Sequence, residues 1–360
     1  MPVAHAQDVV AECPGVKVVI DGKITTYSDV PLSVNGSTLL PLRAILANLG
    51  VQNDDRHIIW NDTEKSVTIH KDSTKIYLKQ DSKTAYVNDS PVTLDAAAML
   101  YAKNGRIYIP ARFVAQALGK KVFWDGSAKC VLIRDEKDYN SVKAVLDKVN
   151  EAGKAINKMK FTTDIKLDMD AAGTKLTTDI SGSGEFDKGR KVMHMNLSAK
   201  MLNQDVNYEY YFLNNTVYMK ISLMGDKWNK LPFPEGQLDK MFESNYNAAP
   251  EANDTLCAGL VIEQGANANE LVLKGDVYYD ELMKALDSTG GNNSMIQDME
   301  FDRYYLEMTV DKNTNLVTKA YIDITMKVKA NGTEQKVSEQ VYCSYEYTDR
   351  FDIAVPEDLE

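Results

Sequence analysis

The chain has no apolar run approaching the ~20 residues of a membrane-spanning helix, and no block of lysine and arginine. Its 41 Lys+Arg stand against 52 Asp+Glu, a net charge of −11. Phosphate backbones need clustered cations, so this balance argues against nucleic acid as a partner. Histidine is scarce. His5, His57, His70 and His194 are all there are, with no His-x-His and no HExxH. The cysteines, Cys13, Cys130, Cys257 and Cys343, form no CxxC, which removes the usual zinc patterns. Their spacing leaves open a Cys257–Cys343 pair, a Cys13–Cys130 pair, or free thiols. GxGxxG, Walker and GxSxG motifs are also missing, and with them the common nucleotide and hydrolase sites. Gly182-Ser183-Gly184 has no histidine beside it in the chain. Asp311-x-Asn313-x-Asn315 lacks the glycine and distal glutamate of a calcium loop and reads as a hairpin turn rich in Asp and Asn. No catalytic, cofactor-binding or metal-binding residue is assigned, and the chain reads as a non-enzyme.

What is present is one phrase written twice. LLPLRAILANLG at 39–50 returns as YIPARFVAQALG at 108–119. Each copy opens on an Asn-Gly turn (Asn35-Gly36, Asn104-Gly105) and a short apolar strand (38–40, 107–109). A proline follows (Pro41, Pro110), suited to a helix start. Apolar residues then come at helical spacing: Leu42, Ile45, Leu46 and Leu49, then Phe113, Val114, Ala117 and Leu118. Gly50 and Gly119 close the helices. A strand ending in Trp60 or Trp124 comes next, and a polar turn leads to a last strand (66–69, 130–133). The phrases are 69 residues apart but the tryptophans only 64, so the first copy carries five extra residues near 52–57. A unit of about 65 residues is marginal alone. Two copies can bury a shared face.

Arg43 and Arg112 sit in the first helical turn, where the dipole opposes a cation. Compensation is expected from the indoles of Trp60 and Trp124 by cation–π stacking, with Asp62 and Asp125 beside them. Arg43, Trp60, Arg112 and Trp124 are thus read as a structural clamp in each repeat. The functional alternative is a ligand-binding arginine pair.

These repeats resemble the copper amine oxidase N-terminal, or stalk, domain family over about 16–135. The resemblance implies a non-catalytic extracytoplasmic accessory domain of the kind common in exported Gram-positive proteins. The oxidase chemistry itself does not transfer. The histidine set is missing, and Asn207-Tyr208-Glu209 has Gln204 where the tyrosine motif requires threonine.

After a polar joint at 135–140, Val142, Val145, Leu146, Val149, Ala152 and Ile156 mark an amphipathic helix. The period then changes to two in 161–168, 192–197, 207–213 and 217–221, which reads as a long antiparallel meander. Helical stretches are expected at 237–243 and 276–286 and a loose loop at 290–293. Strands return at 304–310, 317–327 and 334–347. NNTVYMKISLMGDKWNKLP, DKNTNLVTKAYIDITM and the closing YTDRFDIAVPEDL resemble the half-barrel lipoproteins related to LolA and the mycobacterial LppX group. That likeness implies a non-enzymatic fold able to hold an acyl chain.

The expected fold class is α+β: two tandem small α+β stalk modules, then a curved antiparallel half-barrel wrapped over helices. The expected domains are a tail at 1–15, stalk repeats at 16–137 (about 16–70 and 76–134) and a half-barrel at 138–360. Ala4-His5-Ala6 before Gln7 fits a signal-peptidase site, so Met1–Ala6 is read as the stump of a secretion signal. The expected protein is secreted or envelope-associated, without cofactor. Its half-barrel binds a lipid or other apolar ligand on a face bearing Met195, Tyr210, Phe212, Met219 and Trp228, while the repeats serve as spacer or adaptor toward a cell-wall or envelope partner. The competing reading is a structural or adhesive surface protein whose half-barrel is fully packed.

Overall fold

Asn35 and Gly36 both have positive φ, 50° and 81°, as a tight hairpin requires. They join β4 (Leu32–Val34) to β5 (Ser37–Pro41), with Val34 opposite Ser37. Pro41 ends the strand and α1 (Leu42–Asn48) begins on the next residue, burying Leu42, Ile45 and Leu46. Gly50, at φ 78°, bonds back to the Ala47 carbonyl. The second copy repeats this with β12 (Arg106–Pro110), α2 (Ala111–Ala117) and Gly119 at φ 77°.

The computed structural model describes residues 9–126, 129–171, 174–201, 204–232, 242, 252–276, 299–330 and 333–359. The expectations for Met1–Ala6, for the 290–293 loop, for 237–243 apart from Phe242 and for 276–286 apart from Asp276 lie outside these. The chain divides into two compact units, Met1–Tyr139 and Asn140–Glu360.

In the first unit the copies are interwoven rather than placed in tandem. β5 and β12 lie side by side in one sheet, Leu40 opposite Ile109. β2 (Lys17–Ile20), before the first copy's helix, runs parallel to β14 (Cys130–Asp135) from the second. A third sheet runs from β6 (Ile58–Asn61) through β7 (Ser66–Lys71), β8 (Thr74–Lys79) and β9 (Thr84–Val87) to β10 (Ser90–Thr93). One core joins both helices and the three sheets, with Leu40, Ile45 and Leu46 from the first copy, Ile109, Val114 and Ala115 from the second, and Ile76 and Leu78 from β8. Leu32, Val34, Leu39, Ala96 and Tyr108 form a second cluster. The two tandem modules are expected from sequence to bury a shared face, and the copies exchange strands as well. Each copy has one seven-residue helix and a few short strands, too little to enclose a core of its own.

In the second unit a helix, Glu136–Lys154 from its start at the joint, buries Val142, Leu146 and Val149 at i, i+4, i+7. Among the described residues, eleven antiparallel strands follow in a single curled sheet. The strands are β15 (Lys158–Ala171), β16 (Thr174–Asp187), β17 (Val192–Met201), β18 (Gln204–Leu213), β19 (Thr216–Ile221), β20 (Asn229–Pro232), β21 (Val261–Gln264), β22 (Glu270–Asp276), β23 (Met299–Asp311), β24 (Val317–Ala330) and β25 (Thr333–Tyr347). β15 and β25, the unit's first and last strands, pair at the centre from Met159↔Tyr347 to Ala171↔Gln335. One meander runs out from β15 to β20 and the other from β25 to β21. The Asp311 turn is closed by its own carboxylate, which accepts hydrogen bonds from the Thr314 and Asn313 amides and the Thr314 hydroxyl. Those bonds hold its carboxyl below the usual range.

The Gly182-Ser183-Gly184 tripeptide lies inside β16. Gly184 faces Phe161 across the ladder, and a Cβ there would lie 2.2 Å from the ring. At Gly182 a Cβ would meet the Asn196 carbonyl oxygen at 2.4 Å. Both glycines make room for a neighbour, the strand use of glycine. Gly182→Ala must therefore shift backbone and is expected to cost about 1–3 kcal/mol. Urea unfolding of the second unit would show a lower midpoint at unchanged slope, and an unaltered midpoint would refute the crowding.

Candidate functional site

Alternation along the strands sorts the large sheet into two unlike faces. Cross-strand partners share a face, so register assigns each residue. From β18 outward, Tyr210 is opposite Met195 and Met219, Phe212 opposite Met193 and Val217, and Tyr208 opposite Leu197 and Ile221. Through Gly184 and Phe186 the same face passes to Phe161 and Met159, then to Tyr345 and Tyr347. Across the centre it continues as Ile165, Leu167, Val341, Ile322, Ile324, Leu306 and Leu273. It is an apolar face over the full width of the sheet.

One buried cluster lies near the β15–β18 end, and at the other end Leu273, Met308 and Val310 are fully buried. Met159, Phe186, Met193, Val217 and Phe242 are buried, with Phe161, Met195, Tyr210, Phe212, Tyr345 and Tyr347 partly buried against them. Phe242 stacks on Phe186 at 5.3 Å. Tyr208, Tyr210 and Phe212 form a ladder with ring centroids 6.3 and 6.2 Å apart. The Tyr347 hydroxyl donates to the Val317 carbonyl at 2.6 Å. Burial raises the hydroxyl pKa of Tyr345 and Tyr347 well above the ordinary phenol value, so both are neutral.

One residue breaks the pattern. Glu339 lies between Leu167 and Ile324 by register, and Ile324 is opposite Tyr304. Among the described residues it is the only charged side chain on this face. Desolvation raises its carboxyl pKa. The Tyr304 hydroxyl rises to about 12, through burial first and the Glu339 charge second. An unpaired carboxylate is costly in such surroundings.

Of the five residues assigned to a ligand face from sequence, Met195, Tyr210, Phe212 and Met219 share this face. Trp228 does not. It packs on the opposite side with Tyr211, at 5.5 Å edge to face, and Lys220 lies 4.7 Å above its ring. That patch, with Val192, Leu213 and Tyr218, is covered by Phe351, Ile353, Val355 and Leu359 of the chain's last segment. The Tyr211 hydroxyl and an Arg190 NH group donate to the Ala354 and Ile353 carbonyls. Trp228 follows the Gly225-Asp226 turn, where the two-residue period carries no information about side. Alternation could have found Glu339, because position 339 falls in phase with Val337 and Val341.

The four clamp residues also have other neighbours than expected. The Arg43 guanidinium donates to Asn53 at 2.6 Å and lies 3.7 Å from Asp55. The Trp60 indole points to Asp62 at 3.4 Å. Among the described residues neither arginine stacks on Trp60 or Trp124, and both indoles are exposed. The Arg43 charge is answered by Asn53 and Asp55 of the five-residue insertion instead. All four cysteines are free, Cys130 and Cys257 being buried.

No helix among the described residues is long and apolar enough to cross a membrane. No curated protein matches the chain. Among solved structures, LprF from Mycobacterium bovis is 14% identical, covering 61% of this chain and 97% of that one at a TM-score of 0.30. A DUF1329 family protein from Desulfovibrio piger is 11% identical over 59% and 95%, with a TM-score of 0.23. A LolA superfamily protein from Nitrosomonas europaea is 8% identical over 61% and 96%, with a TM-score of 0.20. The model of the copper amine oxidase N-terminal domain matches residues 19–133. A second model, the family of unknown function DUF6612, matches 141–360, more than half of the sequence, and the chain belongs to that family.

Proposed function

We propose that the second unit holds an apolar, lipid-like ligand on the face bearing Met195, Tyr210, Phe212 and Met219, and that the protein is an exported envelope component without catalytic activity. The observation that carries this reading is the composition of that face. It stays apolar across eleven strands, yet its aromatic and methionine side chains toward β18 are only partly buried. Methionine adapts to irregular apolar partners, and broad aromatic surface is expensive to leave in water. The first unit then serves as spacer or adaptor toward a cell-wall or envelope partner. Export is supported by the stalk-family match.

The packed alternative is favoured by burial at both ends of the face, since Leu273, Met308 and Val310 are fully buried toward β22 and β23. Phe242 lies on Phe186, so part of the face is covered by the protein itself. The two readings separate in a titration of the whole chain with a fluorescent fatty acid. Binding with saturation, weakened tenfold or more by Tyr210→Lys and unchanged by Trp228→Phe, is the expected outcome. Absence of uptake would leave the face as a core.

Glu339 supplies an independent check on how dry the face is. Its folded pKa is raised, so the protonated form is favoured in the fold. Its contribution to stability is complete below the unfolded carboxylate value and is lost as pH rises through the folded value. Tyr304, Tyr345 and Tyr347 on the same face stay neutral throughout this window. Between about pH 5 and pH 8 the wild-type melting temperature should fall more than that of Glu339→Gln. Parallel pH profiles for the two proteins would show that water reaches the carboxyl freely.

A further inference from the structure

Arg43 and Arg112 occupy the same position in the two copies, but only Arg43 is satisfied. Its partners, Asn53 and Asp55, belong to the segment that the second copy lacks. Among the described residues Arg112 has neither hydrogen bond nor ion pair, and its side chain is exposed. Trp124 is also exposed, at 46%. Both line one open groove of about 1140 Å³ within the first unit.

The groove is chemically mixed. Arg112, Phe113, Gln116, Trp124 and Lys129 line it, and the Asn35–Thr38 hairpin and Thr93–Asp95 contribute polar groups. Glu12 also lines it, but its carboxylate is bound by Lys103 at 2.7 Å and by the Tyr101 hydroxyl at 2.8 Å. With Glu12 neutralised in this way, Arg112 and Lys129 outweigh Asp95. The groove is therefore a cationic spot on an acidic chain. Its volume exceeds that of a typical small-molecule pocket, which suits a short stretch of polymer.

We propose that this groove binds a carboxylate-bearing saccharide chain. A free guanidinium presents parallel N–H donors that match a carboxylate. An exposed indole face offers its negative π surface to the C–H face of a pyranose ring. Hydroxyl and amide side chains beside them pair with sugar hydroxyls. A peptide carboxylate would use the arginine equally well, but it would have little use for the flat indole beside many small polar groups. The site is independent of the apolar face of the second unit and does not rest on the reading given for it.

The test uses the full chain and a hyaluronan tetrasaccharide, whose glucuronate rings carry the carboxylates, with its methyl ester as the neutral counterpart. Calorimetry or tryptophan fluorescence should show binding with saturation. Arg112→Gln should weaken it tenfold or more, methyl esterification should do the same, and Arg43→Gln should leave it unchanged. Because the Arg112 side chain has no partner, Arg112→Gln should melt at the wild-type temperature, which separates lost binding from lost folding. Trp124→Phe should remove most of the fluorescence response. No saturable binding at millimolar sugar, or equal binding by Arg112→Gln, would overturn the proposal. So would binding of an acetylated tripeptide with a free carboxylate in preference to the tetrasaccharide.

Discussion

The second unit depends on one ladder, the pairing of β15 with β25. Thirteen residue pairs join the first strand of the unit to its last. Each meander is local and could form as a set of hairpins, but neither alone gives a face wide enough to matter. The central ladder fuses them and fixes the phase of the whole surface. A slip of one residue would turn every side chain of one half to the other side, setting Tyr345 and Val341 among the polar neighbours of Lys160 and Asp164. The phase is protected by burial on one face and charge on the other. Lys160 pairs with Glu185, and Lys158 with Asp187 and Asp352, on the polar side.

The first unit solves a different problem. Its two copies are too small to be domains, and they share strands as well as a face. The parallel pairing of β2 with β14 closes the unit from its two ends, and one core serves both helices. Duplication frees one copy to diverge. The insertion near Asn53 engages Arg43, and without it Arg112 has no partner among the described residues.

Local chemistry was legible in the sequence, and long-range pairing was not. Gly50 and Gly119 ended helices where the caps placed them, and the Asn35-Gly36 and Asp311–Asn315 turns formed where Asn, Asp and Gly clustered. The apolar face could be read on β17, β18 and β19 because the alternation of Met193, Met195 and Leu197 with polar residues is regular. Trp228 was misplaced because a turn separates it from that rhythm. The interweaving of the copies could not be read, since β2 and β14 are separated by most of the unit and each looks like any short apolar strand. The arginine–tryptophan clamp failed for an instructive reason. Proximity in sequence suggested Trp60 for Arg43, while the extra loop supplied a hydrogen-bonding amide and a carboxylate, which satisfy a guanidinium better than an indole does.

Among the described residues the sheet of the second unit does not close on itself, and its two borders are β20 and β21. Both are four residues long. The first ends in Pro232, which has no amide hydrogen to offer, and carries Lys230; the second carries Glu263 and Gln264. An open ribbon of eleven strands would otherwise be a template for stacking against its own copies. Short borders that carry charge and a proline make that addition unfavourable, so the width of the apolar face does not by itself turn the strands into a template.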